Sequence, residues 1–193
     1  MSPEQSAGLV VRLVTDTTPR PLVIAVDGPS GAGTSTLAEV LATRLDASVV
    51  HVDDFYRDMP HERRWALSPE EGLQQYFDWQ RLRREALEPL KSGQPAHYRP
   101  YSWLPTGGLA PRSIALAARP VIIVEGVYAA RPEVKDLIDL AVLVETPRAE
   151  RFRRLTARGH GNQHWWSRWD AAETLYFTRV RPTDTFDLVV PGH

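Results

Sequence analysis

Cysteine is absent from this 193-residue chain, which excludes disulfides, thiolate catalysis and zinc–thiolate sites. Lysine is nearly absent: Lys91 and Lys135 stand against 21 arginines. No apolar run approaches the ~20 residues that cross a bilayer, and the opening Met1-Ser2-Pro3-Glu4-Gln5 lacks a basic region feeding an apolar core. The expectation is a cytoplasmic protein without a membrane partner. An excess of either charge is missing too, the formal net charge being −1, so no extended nucleic-acid surface is expected. Repeats and low-complexity tracts are lacking, and oligomeric state is not legible. What remains has ordinary globular composition, 42% hydrophobic and 24% charged. One domain over residues 1–193 is expected, long enough to bury roughly 70% of its unfolded surface.

The hydrophobic pattern alternates strands with helices. Ser2-Pro3-Glu4-Gln5 reads as a helix start with a capping glutamine, predicting a helix to about Val14 and a connector from Thr15 to Pro21, so that 1–20 precede the first strand. Strands are predicted over Leu22–Val26, Ala47–Val52, Val121–Val124, Leu140–Val144 and Phe186–Val190. Helices are predicted from Gly33 to about Leu45 and from the capping box Ser68-Pro69-Glu70-Glu71 to about Lys91 with a break near Asp78. Two more run from about Arg148 to Arg158 and from about Trp165 to Thr178. Gln94–Pro111, with four prolines and two glycines, reads as an ordered loop or minor hairpin. The order implies an α/β fold with a parallel sheet covered on both faces.

Between the first strand and the helix that follows lies Gly28-Pro29-Ser30-Gly31-Ala32-Gly33-Thr34-Ser35-Thr36, the G-x-x-x-x-G-K-[ST] phosphate loop with Thr34 in the lysine position. Glycines let the backbone turn its N–H groups around phosphate oxygens, and the helix N-terminus adds unpaired donors. Gly28, Ser30, Gly31, Ala32, Gly33, Thr34, Ser35 and Thr36 are the candidate nucleotide-binding residues. The hydroxyl after the lysine position ligates Mg²⁺ in such sites, here Ser35; Glu125, ending the most apolar strand, is the candidate carboxylate for the same ion. Asp53, at the end of the second strand, is the candidate base for an acceptor hydroxyl. Asp54 reads as a turn cap. Tyr56 and Arg57 lie beside the pair, and Tyr98, Arg99, Tyr101 and Trp103 either form an acceptor pocket or pack their loop. His160 and His164 read as parts of a mobile loop rather than a metal pair. Trp165, Trp169 and Tyr176 read as core packing, with a base-stacking platform as the alternative.

Gly28–Thr36, Asp53-Asp54-Phe55-Tyr56, Val121–Gly126 and Arg151–Arg158, in that order, resemble the uridine kinase and phosphoribulokinase group of P-loop kinases. The resemblance spans about residues 20–190. It implies a P-loop NTPase three-layer sandwich with a five-stranded parallel sheet and an arginine-rich lid over about 147–165. It also implies ATP and Mg²⁺ as cofactors and a small-molecule acceptor, a nucleoside first. Asp53 would be the base, Glu125 would lie near the metal, and Tyr101 would pack on a nucleoside base, although Ser102 replaces the aspartate that follows in the family. Of the lid pattern R-L-x-R-R-x-x-R-D, Arg151, Arg154 and Arg158 match; Phe152, Leu155 and Gly159 depart. The catalytic candidates are therefore Asp53, Arg154 and Arg158. From spacing alone, Arg148, Arg151, Arg154 and Arg158 share one helix face and repel unless anions face them.

Thr34 has no charge to place between the β- and γ-phosphates. Loss of one preorganised donor costs about 10²- to 10³-fold in rate, whereas backbone amides and Mg²⁺ still bind nucleotide. Three readings follow: a weakened kinase, a nucleotide-binding protein without phosphotransfer, or an ordinary kinase whose lysine was replaced by design or in cloning.

Overall fold

The computed structural model describes residues 1–14, 21–104, 107–158 and 163–192. The predicted connector at 15–20 lies outside them, as do Gly159, His160 and Gly161.

Five strands make one parallel sheet: β1 Leu22–Asp27, β2 Ala47–His51, β5 Val121–Glu125, β6 Leu140–Glu145 and β7 Leu188–Pro191. They lie in the order β2-β5-β1-β6-β7. The central strands are apolar throughout because both faces are covered. On one face Leu22, Ile24, Val26, Ile123 and Val142 pack with α1 (Pro3–Val14) and α2 (Thr34–Leu45). On the other, Val23, Ala25, Ile122, Val124 and Leu143 meet Leu82, Leu87, Leu90 and Tyr176.

The sequence signals place most element ends within a residue or two. Ser2 and Gln5 exchange both capping bonds (2.7 and 3.3 Å), and so do Ser68 and Glu71 (2.8 and 3.2 Å). A short α3 (His61–Ala66) precedes α4 (Pro69–Gln75). The expected break falls at Asp78, whose carboxylate caps α5 (Trp79–Leu82). A π-helical turn over Arg83–Leu87 then leads into α6 (Glu88–Lys91). The second strand stops at His51, one residue early, because Val52–Phe55 wind into a 3-10 turn. The proline-rich stretch does start a hairpin: β3 (Ala96–Tyr98) pairs antiparallel with β4 (Ile114–Leu116), beyond the segment expected to contain it. α7 spans Arg148–Ala157, and α8 (Gln163–Leu175) continues as a π-helical turn through Val180.

Asp27 ties these layers together. Fully buried at the end of β1, its carboxylate accepts from the N–H of Gly28 (2.8 Å), Tyr128 (2.9 Å) and Ala130 (2.9 Å) and from the Tyr176 hydroxyl (2.7 Å). Burial pushes its carboxyl up to about 6 even though those four bonds oppose the shift. Among the described residues no helix is long and apolar enough to cross a membrane.

Asp27→Ala strands buried donors on three segments, each such orphan costing about 1–3 kcal/mol. The expected loss is about 3 kcal/mol, or roughly 6–12 °C in Tm for a chain of this size. A thermal melt within 2 °C of wild type would contradict this reading of Asp27.

Candidate active site

Parallel order brings the C-terminal ends of β1, β5 and β2 to one edge of the sheet, with β1 between the neighbours β5 and β6 where ligands of open α/β sheets bind. The loop after β1 is built for an anion. Gly28 runs so close to β6 that a Cβ there would stand 2.6 Å from the Val144 carbonyl. Gly33, at φ +105°, turns the chain into α2. No side chain caps that helix, so its first N–H groups are left for a ligand.

Three side chains hold the loop from outside. Arg151 Nη1 donates to the Ser30 carbonyl (3.0 Å), Arg154 Nη1 to those of Gly31 (3.3 Å) and Ala32 (3.4 Å), and Thr146 Oγ1 to that of Ala32 (2.9 Å). In a trans peptide the following N–H points the opposite way. The N–H groups of Gly31 and Gly33 therefore point away from the side chains that hold those carbonyls, while that of Ala32 closes a turn onto Pro29 (2.9 Å).

The arginine stripe thus has a different partner from the phosphate that the family pattern suggested. Three of its four charges are met by carboxylates of the protein itself: Arg148 and Arg151 pair with Asp170 (2.7 and 3.3 Å), Arg151 also approaches Glu173 (3.5 Å), and Arg154 pairs with Glu150 (2.8 Å). Arg151 is buried. Arg154, expected over the transferring phosphate, lies in this geometry on the carbonyl side of the loop. Arg158, at the end of α7, is exposed.

At the metal position Ser35 Oγ donates to Glu125 at 3.1 and 3.3 Å to its two oxygens. A hydroxyl and a buried carboxylate are hard oxygen donors of the kind Mg²⁺ takes while keeping several waters, so the residues fit the ion. His51 sits opposite Glu125 in the β2–β5 register, its Nδ1 2.6 Å from Oε1. The bond to Glu125 raises the imidazole, keeping it protonated to higher pH. Nothing in the sequence marks His51, because strand order alone puts it beside Glu125.

Asp53 lies in the same recess. Its side chain is exposed, and its carboxyl is pushed up to about 6 by partial desolvation and by the charges of Glu125 and Asp54. Asp54 is turned away: its carboxylate accepts from Tyr98 Oη (3.0 Å) and its carbonyl from Tyr101 N (2.8 Å) and Arg81 (2.6 Å). The expected turn cap is therefore an anchor for the β3 segment.

The aromatic residues mostly pack. Tyr98, proposed for the acceptor, is 3% exposed against Phe55 at 4.7 Å. Tyr56 (6% exposed) and Tyr101 (4%) are closed in by each other and by Trp103. Arg57 is exposed, reaching the Phe77 carbonyl at 3.4 Å. Trp169 stacks on Tyr76 at 4.3 Å, and Tyr176 is buried on Asp27, which supports the packing reading for both. The side chains of His164 and Trp165 lie outside the described set.

Glu173 escaped notice in the sequence. It is 2% exposed and accepts from the Ser30 N–H (3.1 Å) and the Ser30 hydroxyl, linking α8 to the loop. Burial raises its carboxyl to about 7 despite those bonds and Arg151.

Comparison with known proteins agrees with this geometry. A family model described as AAA domain matches residues 24–174. A uridine kinase of Shewanella denitrificans is 30% identical over 149 residues, covering 70% of this chain and 68% of that protein. Uridine-cytidine kinase C of Dictyostelium discoideum is 27% identical over 125 residues, or 64% of this chain, which spans only 26% of that longer protein. A solved structure described as a possible uridine kinase from Bacillus stearothermophilus superposes with a TM-score of 0.76 at 21% identity, covering 98% of this chain and 99% of the other.

Because the folded pKa of Glu173, about 7, lies above its ordinary 4.5, the folded state holds the proton more tightly. Its contribution to stability is complete below about pH 4.5 and is lost as pH rises through about 7. Thermal melts should show wild type losing stability relative to Glu173→Gln between pH 5 and 8. Parallel curves would remove Glu173 from this role.

Proposed function

The chain belongs to the AAA domain family as a uridine kinase-like P-loop kinase, and from that premise we propose that it moves the γ-phosphoryl of ATP to a hydroxyl of a small molecule, slowly because of Thr34. The observation that carries the reading is the convergence of the phosphate loop, the Ser35–Glu125 pair and Asp53 on one sheet edge. Nucleosides are the first acceptors to test, since the relatives' names point there.

The chemistry assigned to each residue follows from its place. The N–H groups of Gly31, Gly33 and the first turn of α2 hold phosphate oxygens, with Ser30, Ala32 and Thr36 shaping the cradle. Ser35 and Glu125 would hold Mg²⁺, which when bound neutralises phosphate charge. Asp53 accepts the proton of the acceptor hydroxyl while that oxygen forms its bond to the γ-phosphorus and the β–γ bridging bond breaks, leaving ADP. A carboxyl raised to about 6 is still mainly ionised at neutral pH yet more basic than an ordinary aspartate. Arg158, exposed at the end of α7, is the lid cation for the phosphates; Arg154 acts by holding the loop. Arg57 and Tyr56 border the acceptor side.

A second reading, nucleotide binding without transfer, is favoured by three departures from the family pattern, at Ser102, at Gly159 and above all at Thr34. Its methyl group packs toward Gly28, and Lys91 does not replace the missing cation. Lys91 is held by the Leu137 carbonyl (2.6 Å) and Asp139 (3.1 Å) at the start of β6, the opposite edge of the sheet.

Thr34→Lys should raise turnover at least about tenfold over wild type against a nucleoside panel, part of the 10²- to 10³-fold typical of a preorganised donor. An unchanged rate would favour the second reading, and absence of ATP binding in both forms would sink the first. Asp53→Asn should abolish turnover and leave ATP affinity within about twofold; persistent turnover would remove Asp53 as the base.

A further inference from the structure

Among the described residues four arginines are buried: Arg64, Arg81, Arg131 and Arg151. Three have a carboxylate within 4 Å, namely Glu85 for Arg81, Glu133 for Arg131, and Asp170 and Glu173 for Arg151. Arg64, on α3 and 7% exposed, has none among the described residues. Its Nη1 donates to the Tyr101 hydroxyl (2.8 Å) and its Nη2 to the Arg57 carbonyl (2.7 Å), both neutral, and its Nε–H has no partner there. A guanidinium taken from water and given only neutral acceptors is costly to bury. Its remaining donors, Nε–H included, form the planar fork that suits an oxyanion.

Arg64 sits beside two of the residues that the sequence marked for the acceptor. The guanidinium carbon lies 4.8 Å from the Tyr101 ring centre and 5.4 Å from that of Tyr56. Tyr56 follows Asp53 by three residues. Burial raises the Tyr56 phenol, the Asp53 charge adds to the shift and Arg64 opposes it, so both ions act on one hydroxyl. The Tyr101 ring also meets the rings of Tyr56 and Trp103.

We propose that Arg64 is a specificity-determining residue of the acceptor site, and that the molecule phosphorylated is a hydroxyl compound that also carries an oxyanion, a carboxylate or a phosphate ester, which pairs with Arg64. The inference rests on the kinase reading above and goes beyond it by naming the acceptor's charge. In the bound state the oxyanion replaces the counter-ion that the fold withholds, and its distance from the hydroxyl sets which hydroxyl meets Asp53.

ADP release and calorimetric binding distinguish the sources, using the full chain and its Thr34→Lys form with Mg-ATP. Glycerate and orotidine supply carboxylates, ribose 5-phosphate a phosphate ester, and uridine and ribose are the uncharged controls. At least one oxyanion probe should exceed its uncharged counterpart tenfold or more in kcat/KM. Arg64→Gln should raise KM or Kd for that probe at least tenfold with a smaller change in kcat and unchanged ATP affinity, the last showing an intact fold. Arg64→Lys should recover part of the loss. Equal or better use of the uncharged probes, failure to bind any oxyanion probe, or an Arg64→Gln protein with unaltered KM overturns the proposal while leaving the kinase reading standing. Lack of ATP binding by wild type overturns both.

Discussion

The carboxylate of Asp27 is the point on which the rest of this structure depends. It stands where β1 becomes the phosphate loop, and its four donors come from the loop itself, from the segment after β5 and from the end of α8. One buried acceptor thereby fixes the loop's first residue relative to Glu125, which closes the same strand β5, and relative to the helix that carries Glu173. The cost of burying it shows in its raised pKa. That cost is tolerable because the donors are held by separate parts of the fold, so each is preorganised and none can leave alone.

The same economy governs the arginines. With lysine almost missing, positive charge is carried by planar forks that do not take the place of a lysine's compact point charge equivalently. Arg151 and Arg154 take the outer face, where peptide carbonyls need donors, and the carboxylates of Asp170, Glu173 and Glu150 balance them. The loop is therefore shaped by arginine while its interior lacks a side-chain cation at Thr34. Shape and charge, which one lysine-bearing motif normally supplies together, are here separated. In the proposed kinase reading, nucleotide binding depends mainly on the first and phosphoryl transfer on both, so that Thr34 would bear more on rate than on affinity.

Much of this was legible from residue order. The capping boxes at Ser2 and Ser68, the break at Asp78 and the five strands are local features, governed by period, turn residues and caps. The nearness of Glu125 and Asp53 was legible because each closes an apolar run and strand ends share one edge in a parallel sheet, while Ser35 was placed by the glycine loop that opens α2. Spacing left open what faces the arginine stripe, and for Arg148, Arg151 and Arg154 it is carboxylates of the protein itself. Tyr98 and Tyr101 looked like pocket walls because aromatic residues serve both packing and stacking; their burial decides for packing. Asp27, His51, Arg64 and Glu173 carried no signal, since a lone charged residue in a strand end or helix looks like any solvated one.

The sequence by itself determined the order of elements, the parallel α/β class and the anion-binding loop with its missing cation, because glycine geometry and hydrophobic period act over a few residues. Only the tertiary structure decided which charges meet: His51 with Glu125 across adjacent strands, Glu173 with Ser30 across 143 positions, and Arg64 with no carboxylate among the described residues. Those pairings follow from strand order and helix docking, which set distances between residues far apart in the chain. In a low-dielectric interior, distance and burial govern the energy of a charge.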